Sequence, residues 1–128
     1  MDLGSVLLAG ALATVGAALV HALLRDEPRD ALMVLGSRAS NDPLTAYAAG
    51  IVVHATVGLG WAVAFAVAWS VTGWPIAPTQ GMLFGLARWA LAERRLRSPS
   101  RTARESGASL AAHVAYGALL GLSYRPGQ

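Results

Sequence analysis

The sequence predicts an all-α membrane protein, a four-transmembrane-helix bundle in one integral membrane domain over residues 1–128, with both termini outside. Three observations predict it. Of the 128 residues, 55% are hydrophobic and only 13% charged, against about a quarter charged in soluble domains, and the mean hydropathy is +0.48. The apolar residues gather in blocks long enough to cross a bilayer, which takes about 17–25 helical residues. The arginines lie almost entirely in the connections between those blocks.

The first block covers about 3–24. Its opening, Met1-Asp2-Leu3-Gly4, lacks the positive region of a signal peptide, and the block exceeds the roughly 7–15 apolar residues of one. It is expected to be a retained helix. The next segment contains Ala31-Leu32-Met33-Val34-Leu35 after Pro28, too short to span and suited to a helical turn in the interface. The second block, about 44–71, opens at Asp42-Pro43, a capping acid before a proline at the first helical position. Gly73-Trp74-Pro75 makes a tight break, so the second and third blocks form a hairpin. The third, about 76–92, is the most polar, with Pro78, Gln80 and Arg88. The fourth covers about 107–124, and Thr102 and Glu105 have capping-box spacing that starts its helix slightly earlier.

Charge sets the orientation. With four spans, Arg25, Arg29, Arg38, Arg94, Arg95, Arg97, Arg101 and Arg104 share one side, and Arg125 lies on the other. The positive-inside rule makes the Arg-rich side cytoplasmic. Trp69, Trp74 and Tyr124 then fall at the outer boundary, and Tyr47 and Trp89 near the inner one. The net charge of +3 and pI near 10.2 do not indicate nucleic acid, because the positive charge sits where it contacts anionic lipid headgroups. All ten basic residues are Arg, which with the Ala and Gly excess fits the codon usage of a GC-rich genome. The absence of cysteine excludes disulfides, thiolate metal sites, cysteine nucleophiles and c-type haem attachment.

Polar side chains inside spans are costly and are functional candidates. His54 lies about 15 Å into the bilayer and His113 about 9 Å, at about 1.5 Å per residue. His21 lies one turn before Arg25. Arg88, about one turn before the charged connection, is expected to snorkel to the inner headgroups. With Glu105 these residues form a polar cluster in the cytoplasmic half. Each deep histidine has a glycine four residues on, giving the stripes Gly50-His54-Gly58 and His113-Gly117-Gly121. The first block offers Ala13-Ala17-His21, and the third Gly81-Gly85. Small residues at this spacing let helices approach closely, and the simplest packing buries all four stripes together. The recurring His-x-x-x-Gly admits a two-plus-two repeat.

The C-terminal two-thirds resemble the YagU-like family of small bacterial inner-membrane proteins. The resemblance rests on His54 and the following Gly-Leu-Gly-Trp-Ala-Val-Ala-Phe, on Gln80-Gly81, on Glu105 eight residues before His113, and on Tyr116-Gly117. Members of that family carry an extended segment between the first two spans, which is short here. The resemblance implies a multi-pass inner-membrane protein linked to envelope or acid stress, with no catalytic residues to carry over.

Three functions are open at this point. One is a non-enzymatic membrane protein, a stress-related factor or accessory subunit, packing through its Gly and Ala faces as a homo-oligomer or with other membrane subunits. Another is a b-type haem protein with His54 and His113 as axial ligands to the iron, no other metal being indicated. The last is an oligomeric proton or small-solute pathway using the histidines. No hydrolase, kinase, nucleotide-binding or zincin motif is present.

Overall fold

The computed structural model describes residues 2–24, 29–73, 76–95 and 102–125. Arg25, Pro28, Trp74, Pro75, Arg97 and Arg101, and the side chains of Arg29 and Arg95, lie outside the described residues. The described chain is all helical, with no strand: α1 (Leu3–Leu24), α2 (Arg29–Gly36), α3 (Pro43–Thr72), α4 (Pro78–Arg95) and α5 (Ala103–Ser123). Helices α1 and α3 are long and apolar enough to cross a membrane. Helices α4 and α5, of 18 and 21 residues, have the length but not the apolarity. Helix α4 carries Arg88, Glu93, Arg94 and Arg95, and α5 opens on Arg104, Glu105 and Ser106.

Local chemistry sets the helix ends. Asp2 accepts from the backbone N–H of Gly4 at 3.0 Å and of Ser5 at 3.3 Å, capping α1. Asp42 accepts from the Thr45 hydroxyl at 2.7 Å and the Thr45 N–H at 2.8 Å. These bonds hold the Asp42 carboxyl below its ordinary value. Its cap is therefore complete above the ordinary carboxylate range and is lost only as pH falls through the lowered value. Helix α3 ends at Gly73, whose φ of 64° is a left-handed conformation that favours glycine, with its N–H donating to the Trp69 carbonyl at 3.1 Å. At α5 the capping box is closed: Thr102 N–H donates to Glu105 at 2.9 Å, and Glu105 N–H to Thr102 Oγ1 at 3.2 Å.

Two contacts fix the directions. Arg125 N–H donates to Ser5 Oγ at 3.0 Å, joining the end of α5 to the start of α1. Ser106 Oγ donates to Glu93 at 2.9 Å, joining the end of α4 to the start of α5. Gly10 lies beside Ala62 and Gly58 beside Thr14, so α1 and α3 are antiparallel. One end of the bundle thus gathers α2, the end of α1, the start of α3, the end of α4 and the start of α5. That end carries the arginine-rich connections.

Glycine decides which helices touch. A Cβ on Gly81 would overlap the Gly117 carbonyl, one on Gly117 the Gly81 carbonyl, and one on Gly85 the His113 carbonyl. Helices α4 and α5 therefore meet backbone to backbone. Gly50 does not join them: a Cβ there would strike the Leu32 carbonyl of α2, and one on Gly36 the Ala46 carbonyl of α3. The stripes are thus split between partners rather than buried in one seam, because α2 occupies the inner stretch of α3. Across the wider α3–α4 gap, aromatic rings fill the space. Phe65 lies 5.2 Å from Phe84 and 6.1 Å from Tyr124, edge to face, and stacks on Trp69 at 4.4 Å. Tyr124 is consequently buried. The Trp89 indole N–H is also buried, without a hydrogen-bond partner.

Alanines line much of the interior around Phe65, Tyr116 and Leu120, while many leucines and valines face out. Ala9, Ala13, Ala17, Ala62, Ala66, Ala108 and Ala112 are buried, whereas Leu23 is 84% and Val71 81% exposed, with Leu8, Leu12, Val52 and Leu83 also facing out. Contiguous exposed apolar surface of this kind marks a non-aqueous or protein contact.

Candidate functional site

At the arginine-rich end, the helices enclose a cavity of about 650 Å³. Helix α1 contributes Thr14 and His21, α3 contributes Tyr47 and His54, α4 contributes Arg88, and α5 contributes Ser109, His113 and Tyr116. Helix α2 covers it with Leu32 and Leu35. All three histidines of the chain and the one arginine within an apolar block thus meet in one space. Glu105 does not line it, since its carboxylate serves the α5 cap. No group of three or more His, Asp or Glu suited to a metal ion occurs among the described residues.

The deep wall is built around Tyr116, which is 0% exposed. Its hydroxyl donates to the Gly58 carbonyl across the bundle. Gly58 can come this close to α1 because a Cβ there would collide with Thr14. The Thr14 hydroxyl is itself spent within α1, donating to the Gly10 carbonyl at 2.7 Å.

Arg88 does not reach for the inner headgroups. Its guanidinium carbon lies 4.5 Å from the centre of the Tyr116 ring and 5.6 Å from that of Trp61. Two physical reasons turn it inward. Helical side chains lean toward their own N-terminus, and the N-terminus of α4 is at the end away from the arginine-rich connections. The two ring faces there attract a cation. Arg88 also lies within electrostatic reach of His54.

His113 is oriented from its own helix. Its Nδ1 lies 2.8 Å from the Ser109 carbonyl; a carbonyl only accepts, so Nδ1 is the donor. His54 and His113, on different helices, line the same cavity.

The sequence singled out His21, His54, Arg88 and His113 but not Tyr116, Thr14, Ser109 or Tyr47 as site residues. Tyr116 had a signal, since it lies three residues after His113 and so on the same helix face. Thr14 and Ser109 had none, because a hydroxyl that bonds its own helix is common inside apolar segments. Chemically, the cavity offers imidazoles, a guanidinium and hydroxyls on otherwise apolar walls. No protein-family model, curated protein or solved structure matches this chain.

Proposed function

We propose that this chain is a four-span protein of a bacterial inner membrane, with both termini outside, that acts by binding rather than by catalysis. In this reading its Gly- and Ala-faced helices hold a ligand cavity in the cytoplasmic half, and the protein serves as a stress-related factor or accessory subunit. The observation that carries it is the meeting of His21, His54, Arg88 and His113 in one cavity of a bundle whose outer surface is leucine and valine. Burying such groups among apolar helices is costly unless they serve a purpose.

Several features support four spans. Helices α1 and α3 are each long and apolar enough to cross a membrane. Helices α4 and α5 pack against each other backbone to backbone, and α5 against α1, and Ser109 and Tyr116 of α5 are buried in that packing. In the sequence, eight of the ten arginines fall in or beside the two connections at one end, the distribution the positive-inside rule asks of a cytoplasmic face, where anionic headgroups would meet them. The exposed apolar faces suit lipid, a second copy or other membrane subunits. The resemblance to YagU-like proteins points the same way. Reporter fusions test this topology. Both arginine-rich connections should report from the cytoplasm, and fusions at Gly73 and at the C-terminus from outside; Gly73 and the C-terminus on opposite sides would sink the four-span reading.

A second reading is favoured by His54 and His113 lining the same cavity. Two imidazoles are the donor set of a b-type haem, and Arg88 would suit a propionate. Haem would supply a redox-active iron for electron transfer. Protein purified after haem-replete expression would then show a Soret band that His54→Ala and His113→Ala each remove. A colourless protein eliminates this reading.

A further inference from the structure

We propose that the cavity takes an amphipathic anion, with a carboxylate or phosphate head on Arg88 and an apolar body along Val15, Leu19, Leu32 and Leu35. The assignment rests on reading the cavity as a ligand site, and it names the class of ligand.

The charge inventory comes first. Among the described residues the cavity wall carries Arg88 and three histidines and no carboxylate. Arg88 has no carboxylate partner among the described residues; its contacts are the faces of Trp61 and Tyr116. A guanidinium stays charged at any physiological pH, and charges in a low-dielectric setting are normally paired. Ring faces attract a cation but do not neutralise it. A cationic ligand would meet repulsion here, and a neutral one would leave Arg88 without a counter-charge. An anion supplies it, and the planar fork of Arg88 suits two-oxygen heads. His54 and His113 lie in the same wall.

Shape and access set the rest of the ligand. Helices α3, α4 and α5 contribute Tyr47, His54, Arg88, Ser109, His113 and Tyr116, while α1 and α2 present Val15, Leu19, Leu32 and Leu35 beside the Thr14 and His21 of α1. Val15 and Leu19 are each 59% exposed and Leu35 is 40% exposed. Residues that line the cavity and also face outward mark an opening between α1 and α2, which in the membrane reading leads into lipid. The roof is firmly placed, because Gly36 and Gly50 hold α2 in backbone contact with α3. A volume of about 650 Å³ lies within the range of small-molecule sites, about 300–1,000 Å³. A head at Arg88 and a hydrocarbon body leaving between α1 and α2 use both halves.

The test compares three probes that share one chain: oleate, oleyl phosphate and oleyl alcohol. Binding to the purified full chain in zwitterionic nanodiscs is read by native mass spectrometry. At least one anion should bind ten-fold or more tighter than the alcohol. The Arg88→Gln variant should erase that preference while keeping alcohol binding, and Arg88→Lys should keep part of it. Oleate ahead of the phosphate assigns a carboxylate head, and the reverse order a lipid phosphate. Should Arg88→Gln not fold, Ala18→Trp decides: from an exposed position on the cavity wall it should block all three probes. An anion preference that survives blockage would come from the surface arginines and overturn the assignment. Equal binding of anions and alcohol overturns the anion assignment alone, whereas no binding of any probe overturns the ligand-cavity reading as well.

Discussion

Gly117→Val is expected to separate α4 from α5 and to destabilise the protein by about 3 kcal/mol or more. Overpacking typically costs about 1–3 kcal/mol when neighbouring side chains can shift. Here the obstacle is the Gly81 carbonyl and the Gly85 nitrogen, which are backbone and cannot rotate away. Relief requires moving a whole helix, and with it the reciprocal contacts of Gly81, Gly85 and Gly121. The control is Gly60→Ala. A Cβ at Gly60 has nothing within 4 Å, and alanine is the better helix former by about 1 kcal/mol, so this variant should hold or gain stability. Reversible unfolding in detergent, followed by circular dichroism, gives both values. Equal stabilities for the two variants would show that the α4–α5 contact is not backbone to backbone.

Tyr116→Ala should be nearly as damaging, at about 3–5 kcal/mol, the usual cost of removing a large buried aromatic. Tyr116 does two separable jobs. Its ring fills the bundle and receives Arg88 at 4.5 Å, while its hydroxyl ties α5 to the Gly58 carbonyl. Tyr116→Phe keeps the ring and removes only the hydroxyl. Hydrogen bonds between membrane helices are worth about 0.6 kcal/mol on average, so this variant should lose about 1 kcal/mol at most. The gap between Ala and Phe measures the ring. A Phe variant as unstable as the Ala variant would shift the weight from packing to the hydrogen bond.

Local signals in the sequence were strong. Asp42-Pro43 and the Thr102–Glu105 pair specify helix starts through side chains that reach only three residues. The residues that bring helices close were also readable, because Gly81-Gly85 and Gly117-Gly121 put small groups on one face at helical spacing. What periodicity cannot supply is the pairing of faces. Gly50 looked like part of the His54 stripe, yet its partner is Leu32 of a helix that reads only as an interfacial turn. Arg88 presents the same problem in another form. Its distance from the charged connection suggests an outward reach, and only the placement of Trp61 and Tyr116 on neighbouring helices draws it the other way. Tyr116 was visible as a residue, but its importance comes from Gly58, 58 positions away in sequence.

The backbone contact between α4 and α5 has a consequence for how the protein is made. Neither helix has the apolarity of α1 or α3, and α4 alone would bring Arg88 into the bilayer with no ring to rest on. Zipped along Gly81, Gly85, Gly117 and Gly121, the two bury their glycine faces, set Arg88 on the Tyr116 ring and leave Met82, Leu83, Leu86 and Leu122 facing outward. In the four-span reading, biogenesis then has two unequal stages. Helices α1 and α3 partition from the translocon individually, while α4 and α5 enter as a single hairpin, with Arg88 already on the Tyr116 ring of α5 and meeting Trp61 of α3 on docking.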